Sequence, residues 1–176
     1  LDLLTLYKGQ VIIVSHSKDE VYRFSDRLAL IEEGSILSFG KTKEIFAQPK
    51  TLSEAKMIAC KNISKIQLAP NNRMFSPDWG MEIGTKKDIP KNANYIAIPS
   101  NNFQIVDEPG TNTIECKIVN IIEEIHGYLI VFKNKNAVDH SSPLYFSVDK
   151  KTWHNREDKD SLYLKINDDS YYLLTK

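Results

Sequence analysis

His16 is the residue of this chain best placed to do chemistry. It closes Val11-Ile12-Ile13-Val14-Ser15, a short apolar run dominated by β-branched residues. Such a run predicts a buried strand, and a residue at the C-terminal end of a buried strand stands where ligands bind in open α/β sheets. The alternative is a histidine that caps a strand end and meets no ligand. A polar helical stretch, Lys18 to Arg27, comes next, followed by a second apolar run, Leu28-Ala29-Leu30-Ile31, that ends at Glu32-Glu33-Gly34. Asp26-Arg27 offers a phosphate-binding pair or a plain helix-end ion pair, and the second reading is preferred because exposed pairs are common and energetically small.

A phosphate-cradling glycine loop would complete a nucleotide site, and none is present. Gly34 to Gly40-Lys41-Thr42 is a near miss, with five residues between the glycines where the loop requires four. Its interior, Ser35-Ile36-Leu37-Ser38-Phe39, carries strand formers and predicts a β-hairpin leading into a helix. Also missing are a magnesium-binding Asp followed by a catalytic Glu and a signature sequence that would cap a nucleotide.

Taken in order, Val14-Ser15-His16-Ser17-Lys18-Asp19-Glu20-Val21, Asp26-Arg27, Gly34-Ser35-Ile36, Gly40, Glu44-Ile45-Phe46 and Pro49 resemble the switch-histidine segment of ABC-transporter ATPases. Ser17 stands where that family usually has Asp. The run Glu20-Val21-Tyr22-Arg23 is similar to importers of molybdate, tungstate and related oxyanions. The resemblance implies that His16 acts catalytically in a full-length protein, where its imidazole would contact the γ-phosphate and the attacking water. It implies ATP and Mg as cofactors of that full-length protein. In this chain it implies no cofactor-binding residue, no metal ligand, no assigned oxyanion ligand and no ATP hydrolysis. The expected partners are a transmembrane permease subunit, a second copy of the ATPase subunit and an oxyanion. The expected location is cytoplasmic, on the inner face of the membrane through the permease. The chain opens on Leu1 with a helix expected over Leu1 to Tyr7, so an N-terminal truncation is the simplest expectation.

Bulk properties narrow the classes. Lys+Arg and Asp+Glu both number 23, a balance that argues against a general nucleic-acid binder. Hydrophobic content of 41% with 26% charged residues is that of a globular chain. Cys60 and Cys116 lie far apart without metal-ligand spacing and are expected as reduced thiols. His126, His140 and His154 sit in polar sequence and are expected at the surface.

Composition changes after Asn62. Asn, Asp, Pro and aromatic residues rise, and short candidate strands recur. They are 64–68, 73–76, 80–84, 95–98, 113–124, 127–133, 144–148, 162–166 and 171–174, separated by turn signals such as Pro70-Asn71-Asn72 and Pro109-Gly110. Lys133-Asn134-Lys135-Asn136 is expected as a solvated loop. Cys60-Lys61-Asn62-Ile63, Tyr95-Ile96-Ala97-Ile98-Pro99 and Ile114-Glu115-Cys116-Lys117-Ile118-Val119 resemble the TOBE module that follows the nucleotide-binding domain in many importer ATPases. Ala97 and Pro99 depart from the family's Gly and Arg, and Asn101 stands where it has an acidic residue. The whole is therefore expected to be α+β: an α/β remnant of an ABC ATPase domain over 1–63, then a mainly β, OB-like barrel over 64–176. Aromatics of the second part, among them Trp79, Phe103, Phe132 and Trp153, are expected in its core rather than as a base-stacking surface.

Two further readings stand beside the transporter reading. One is a stand-alone OB barrel that holds molybdate, tungstate or sulfate through donors such as Ser100-Asn101-Asn102 and Ser141-Ser142. The weaker is a nucleic-acid-binding OB protein.

Overall fold

The computed structural model describes residues 9–138, 140–156, 161–168 and 171–176. The helix expected over Leu1 to Tyr7 lies outside the described residues. The chain divides into two compact units, Leu1–Gln48 and Pro49–Lys176. The composition change at Asn62 and this division differ by the segment 49–63, which packs with the second unit.

The first unit is a helix, a hairpin and a helix. Helix α1 (Lys18–Phe24) starts at the N-cap Ser17, whose side chain accepts from the Glu20 N–H, and stops at Ser25. Asp19 and Glu20 in the first turn and Arg23 in the last complement the helix dipole. Strands β1 (Arg27–Glu32) and β2 (Ser35–Lys41) pair antiparallel, with Glu32 opposite Ser35. Glu33 and Gly34, with φ of 49° and 78°, make the turn between them. Both central residues in the left-handed region match the right-handed twist of the strands. The Gly34–Thr42 stretch is thus the hairpin anticipated from its strand formers. Helix α2 (Thr42–Ala47) follows and buries Thr42 and Ile45.

Val11 to Val14 do not form a strand. Ile12 is 94% and Val14 93% exposed, and no ladder includes them. An apolar run becomes a parallel-sheet strand only when neighbours pair its edges and cover its faces. Among the described residues nothing does so, and this corrects the buried strand expected there.

The second unit is β-rich. It opens on helix α3 (Leu52–Met57), where Thr51 and Glu54 form a reciprocal capping box. Strands β3 (Asn62–Lys65), β7 (Tyr95–Ile98) and β13 (Tyr172–Leu174) form a sheet in the order β13-β7-β3. Strands β4 (Gln67–Ala69), β5 (Arg73–Ser76) and β6 (Met81–Gly84) form an antiparallel meander. The largest sheet runs β11-β10-β9-β12-β8. Its members are β8 (Phe103–Val106), β9 (Thr113–Glu123), β10 (Gly127–Asn134), β11 (Leu144–Asp149) and β12 (Tyr163–Ile166). Helix α4 (Lys150–His154) leaves β11 directly, capped by Asp149.

These sheets do not close on one another: among the described residues there is no barrel, which corrects the closed OB-like barrel expected. The fold is mixed α+β, with an N-terminal α/β region and a β-rich C-terminal region. One core joins the sheets of the second unit and contains Met74, Trp79, Ile96, Phe103, Ile130, Phe132, Leu164 and Trp153. Phe132 and Phe146 both meet the Phe103 ring edge-on. The aromatics therefore serve packing, as their alternation with aliphatics indicates.

Candidate functional site

The site built around His16 depends on how α1 is held. Tyr22 of α1 meets Phe46 of α2 edge-on, with ring centroids 5.1 Å apart. The Lys43 ammonium lies 3.4 Å above the Tyr22 ring and donates to the Tyr22 carbonyl at 3.2 Å. The Ser25 and Thr42 hydroxyls share a hydrogen bond of 2.9 Å, and the Thr42 N–H donates to the Asp26 carbonyl at 3.0 Å. These contacts fix the end of α1 to the start of α2. Arg27 opens β1 with its guanidinium 4.5 Å from the Phe39 ring centroid. It is thus a cation–π partner on the hairpin, in place of the helix-end ion pair expected with Asp26.

His16 itself is exposed, one residue before the N-cap of α1. Its neighbours are ordered by short-range bonds. The Ser15 hydroxyl donates to the Glu20 carboxylate at 2.7 Å and accepts from the Ser17 N–H at 3.0 Å. These bonds tie the loop back onto the helix, with His16 between the two serines. Asp19 is also exposed.

The hairpin residues that nearly match a phosphate loop are committed elsewhere. Lys41 pairs with Glu44 at 3.0 Å, and Thr42 is buried against Ser25. No group of three or more metal-ligating side chains occurs among the described residues. His126 and His140 are exposed, and His154 stacks on Tyr128 with centroids 5.7 Å apart.

In the second unit, the polar loops considered for oxyanions are used locally. Ser147 donates its hydroxyl to Ser100 at 2.8 Å, and the Ser142 N–H donates to the Asp78 carbonyl at 2.7 Å. Burial raises the Cys60 thiol to about 11 and pushes Cys116 higher still; both are free thiols. Asn134, expected in a solvated loop, ends β10 and donates to the carbonyls of Trp79 and Gly80 at 3.3 and 3.1 Å.

Sequence reasoning passed over one buried polar residue, Asn62. Its side chain bridges to β7 and β11, donating to the carbonyls of Ile98 and Tyr145 and accepting from the Tyr145 N–H. A polar residue inside the period-2 pattern of a strand was the available signal. Ser64 is similar: its hydroxyl shares a bond with Ser76 at 2.7 Å and donates to Asp78 at 2.9 Å.

No protein-family model matches the chain. It is similar to a methionine import ATP-binding protein of Bacillus cereus, 25% identical over 147 residues, covering 79% of this chain and 40% of the relative. It is also similar to a spermidine/putrescine import ATP-binding protein of Mycoplasmopsis synoviae, 26% identical over 175 residues, covering 94% of this chain and 35% of the relative. A glycine betaine/carnitine transport ATP-binding protein of Listeria monocytogenes is 31% identical over 91 residues, 52% of this chain and 22% of the relative. The chain thus spans well under half the length of these relatives. The matches support a C-terminal portion of the ATP-binding subunit of an ABC importer in general, with solutes of several chemical classes among the relatives.

Proposed function

We propose that the chain is the C-terminal, regulatory part of the ATP-binding subunit of an ABC importer, with His16 meeting the terminal phosphate of ATP in the complete subunit. The observation that carries this is the ordered correspondence from the His16 loop through the hairpin and β-rich unit, matched over 94% of the chain by one relative. Exposure of Val11 to Val14 supports it: an apolar run beside a catalytic residue is accounted for if the rest of an ATPase domain covers it. In this reading the segment before Pro49 completes that domain, and Pro49–Lys176 carries a TOBE-like regulatory module built on open sheets, to which residues 49–63 contribute α3 and the start of β3. ATP, Mg, a second copy of the subunit and a transmembrane permease are the proposed associates, with the protein held at the inner face of the membrane by the permease. No helix among the described residues is long and apolar enough to cross a membrane.

For the solute, Glu20-Val21-Tyr22-Arg23 is what supports an oxyanion such as molybdate or tungstate. The relatives carry no weight on that point, because the solutes they are named for range over an amino acid, polyamines and a betaine.

Two measurements test the proposal. The phosphate-loop portion of the Mycoplasmopsis relative, joined to this chain, should hydrolyse ATP, whereas the 176-residue chain alone should not. Failure of the well-folded joined protein, or hydrolysis by the chain alone, overturns the ATPase reading. Calorimetric titration of the chain with molybdate tests the oxyanion reading separately, and absence of heat removes molybdate as a ligand of this chain.

A further inference from the structure

Helix α3 ends on a residue that the local geometry disfavours. The Cys60 N–H donates to the Ala55 carbonyl at 2.9 Å, and the Ala59 N–H donates to the Lys56 carbonyl at 3.1 Å. This pair of bonds makes a C-terminal cap whose first residue past the helix end takes the left-handed conformation, a place usually filled by glycine. Here that residue is Ala59, with φ of 72°. Its Cβ crowds the backbone in this region, so the exit from α3 is strained.

Little apolar burial holds α3 against that strain. Ala55 is its only buried apolar side chain. It packs with Ala97 and Leu174 in a small cluster apart from the main core, and Cys60, Ile63, Tyr95 and Tyr172 surround it. The other end of the helix is held by polar groups. Thr51 and Glu54 cap each other, and the Glu54 carboxylate also accepts from the Lys50 N–H. Two backbone bonds then fasten this end to a distant part of the sequence. The Leu52 N–H donates to the Thr175 carbonyl and the Thr175 N–H to the Lys50 carbonyl, each at 3.0 Å.

We propose that residues 50–60 form a strap that lifts from the β13-β7-β3 sheet as one piece while the main core stays closed. The capping box and the Thr175 bonds hold it shut, and the strain at Ala59 biases it open. The strap lies on the stretch of chain that leads from the first unit into β3. Its lifting therefore lengthens the covalent connection between the units. The six residues of α3 span about 9 Å as a helix and about 20 Å when extended. This inference rests on the geometry of the segment and not on the transporter reading.

Hydrogen exchange of the whole chain, read amide by amide by NMR at several low denaturant concentrations, tests it. The amides of Leu52, Ala55, Ile58, Cys60 and Thr175 should exchange through one shared opening. That opening should depend only weakly on denaturant and be faster, by roughly an order of magnitude or more, than exchange in β10 and β12. Ala59→Gly removes the strain and should slow all five amides about fivefold. Thr51→Ala removes the cap and should speed all five about fivefold. Strap amides as slow as those of β10 and β12 in the wild type overturn the proposal. So does a response confined to the mutated end, with Cys60 slowed by Ala59→Gly while Leu52 and Thr175 keep their rates.

Discussion

Asn62 and Tyr145 are bonded as two strand residues would be, although one partner is a side chain. The Asn62 carboxamide accepts from the Tyr145 N–H at 2.6 Å and donates to the Tyr145 carbonyl at 2.9 Å, while also donating to the Ile98 carbonyl at 2.9 Å. Tyr145 lies on β11, an edge of the five-stranded sheet, and Asn62 on β3, an edge of the three-stranded one. One side chain therefore ties two sheets that share no backbone ladder. Asn62→Ala should destabilise the protein by roughly 2–3 kcal/mol, because it strands buried backbone groups without water. Urea unfolding followed by tryptophan fluorescence measures this, and a loss below that of an ordinary surface substitution would show that water replaces the carboxamide.

Gly127 starts β10 where a Cβ would come 2.2 Å from the Val148 carbonyl oxygen and 3.3 Å from the Asp149 Cα. Its φ is not in the left-handed region, so the requirement is for space between β10 and β11. Gly127→Ala should cost about 1–3 kcal/mol by forcing these strands apart. Thermal unfolding should show it, and an unchanged midpoint would mean that the hairpin relaxes freely.

The two thiols carry a pH dependence. Burial raises Cys60 from its ordinary value of 9.0 to about 11, with Cys116 shifted further in the same direction. The folded state therefore holds its thiol protons at pH values where the unfolded chain releases them. Stability from this source is intact below about pH 8.5 and falls above it, by about 1.4 kcal/mol per pH unit per thiol. Denaturant midpoints between pH 8 and 10.5 should decline more steeply for the wild type than for Cys116→Ala. Parallel curves would place Cys116 in contact with solvent.

In the joined protein that restores a phosphate loop, His16→Ala should lower ATP turnover about 100- to 1000-fold, the usual cost of removing one transition-state donor. Nucleotide affinity should change little. Steady-state hydrolysis and equilibrium nucleotide binding on the same preparation separate the two effects, and normal turnover would remove His16 from the chemistry.

Much of the fold was legible because its signals are local. Arg73–Ser76 and Tyr95–Ile98 coincide with the strands read between turn signals. Strand β8 and helix α4 were passed over. Phe103–Val106 carries Gln104 in a short run, and α4 has five residues, too few for a helical period to emerge. The expected strand at Val11 to Val14 failed for a different reason. Periodicity reports what a segment would bury, but a strand also needs neighbours, and those are not a property of the segment. The candidate site at His16 was picked out by the order of residue types alone, whereas the aromatic and hydroxyl contacts that hold α1 join Tyr22 to Lys43 and Ser25 to Thr42, separations that no local pattern marks.

The second unit begins and ends at the same place. Thr51 forms a parallel bridge with Thr175, the Leu52 N–H donates to the Thr175 carbonyl, and the Thr175 N–H donates to the Lys50 carbonyl. A unit whose entry and exit lie side by side behaves as a cassette: it can be spliced into a loop of another carrier, or circularly permuted, with little strain on either partner. The same stitch joins residues far apart in sequence, so it closes late in folding. A nick near Thr175 would release α3 at the opposite end of the unit.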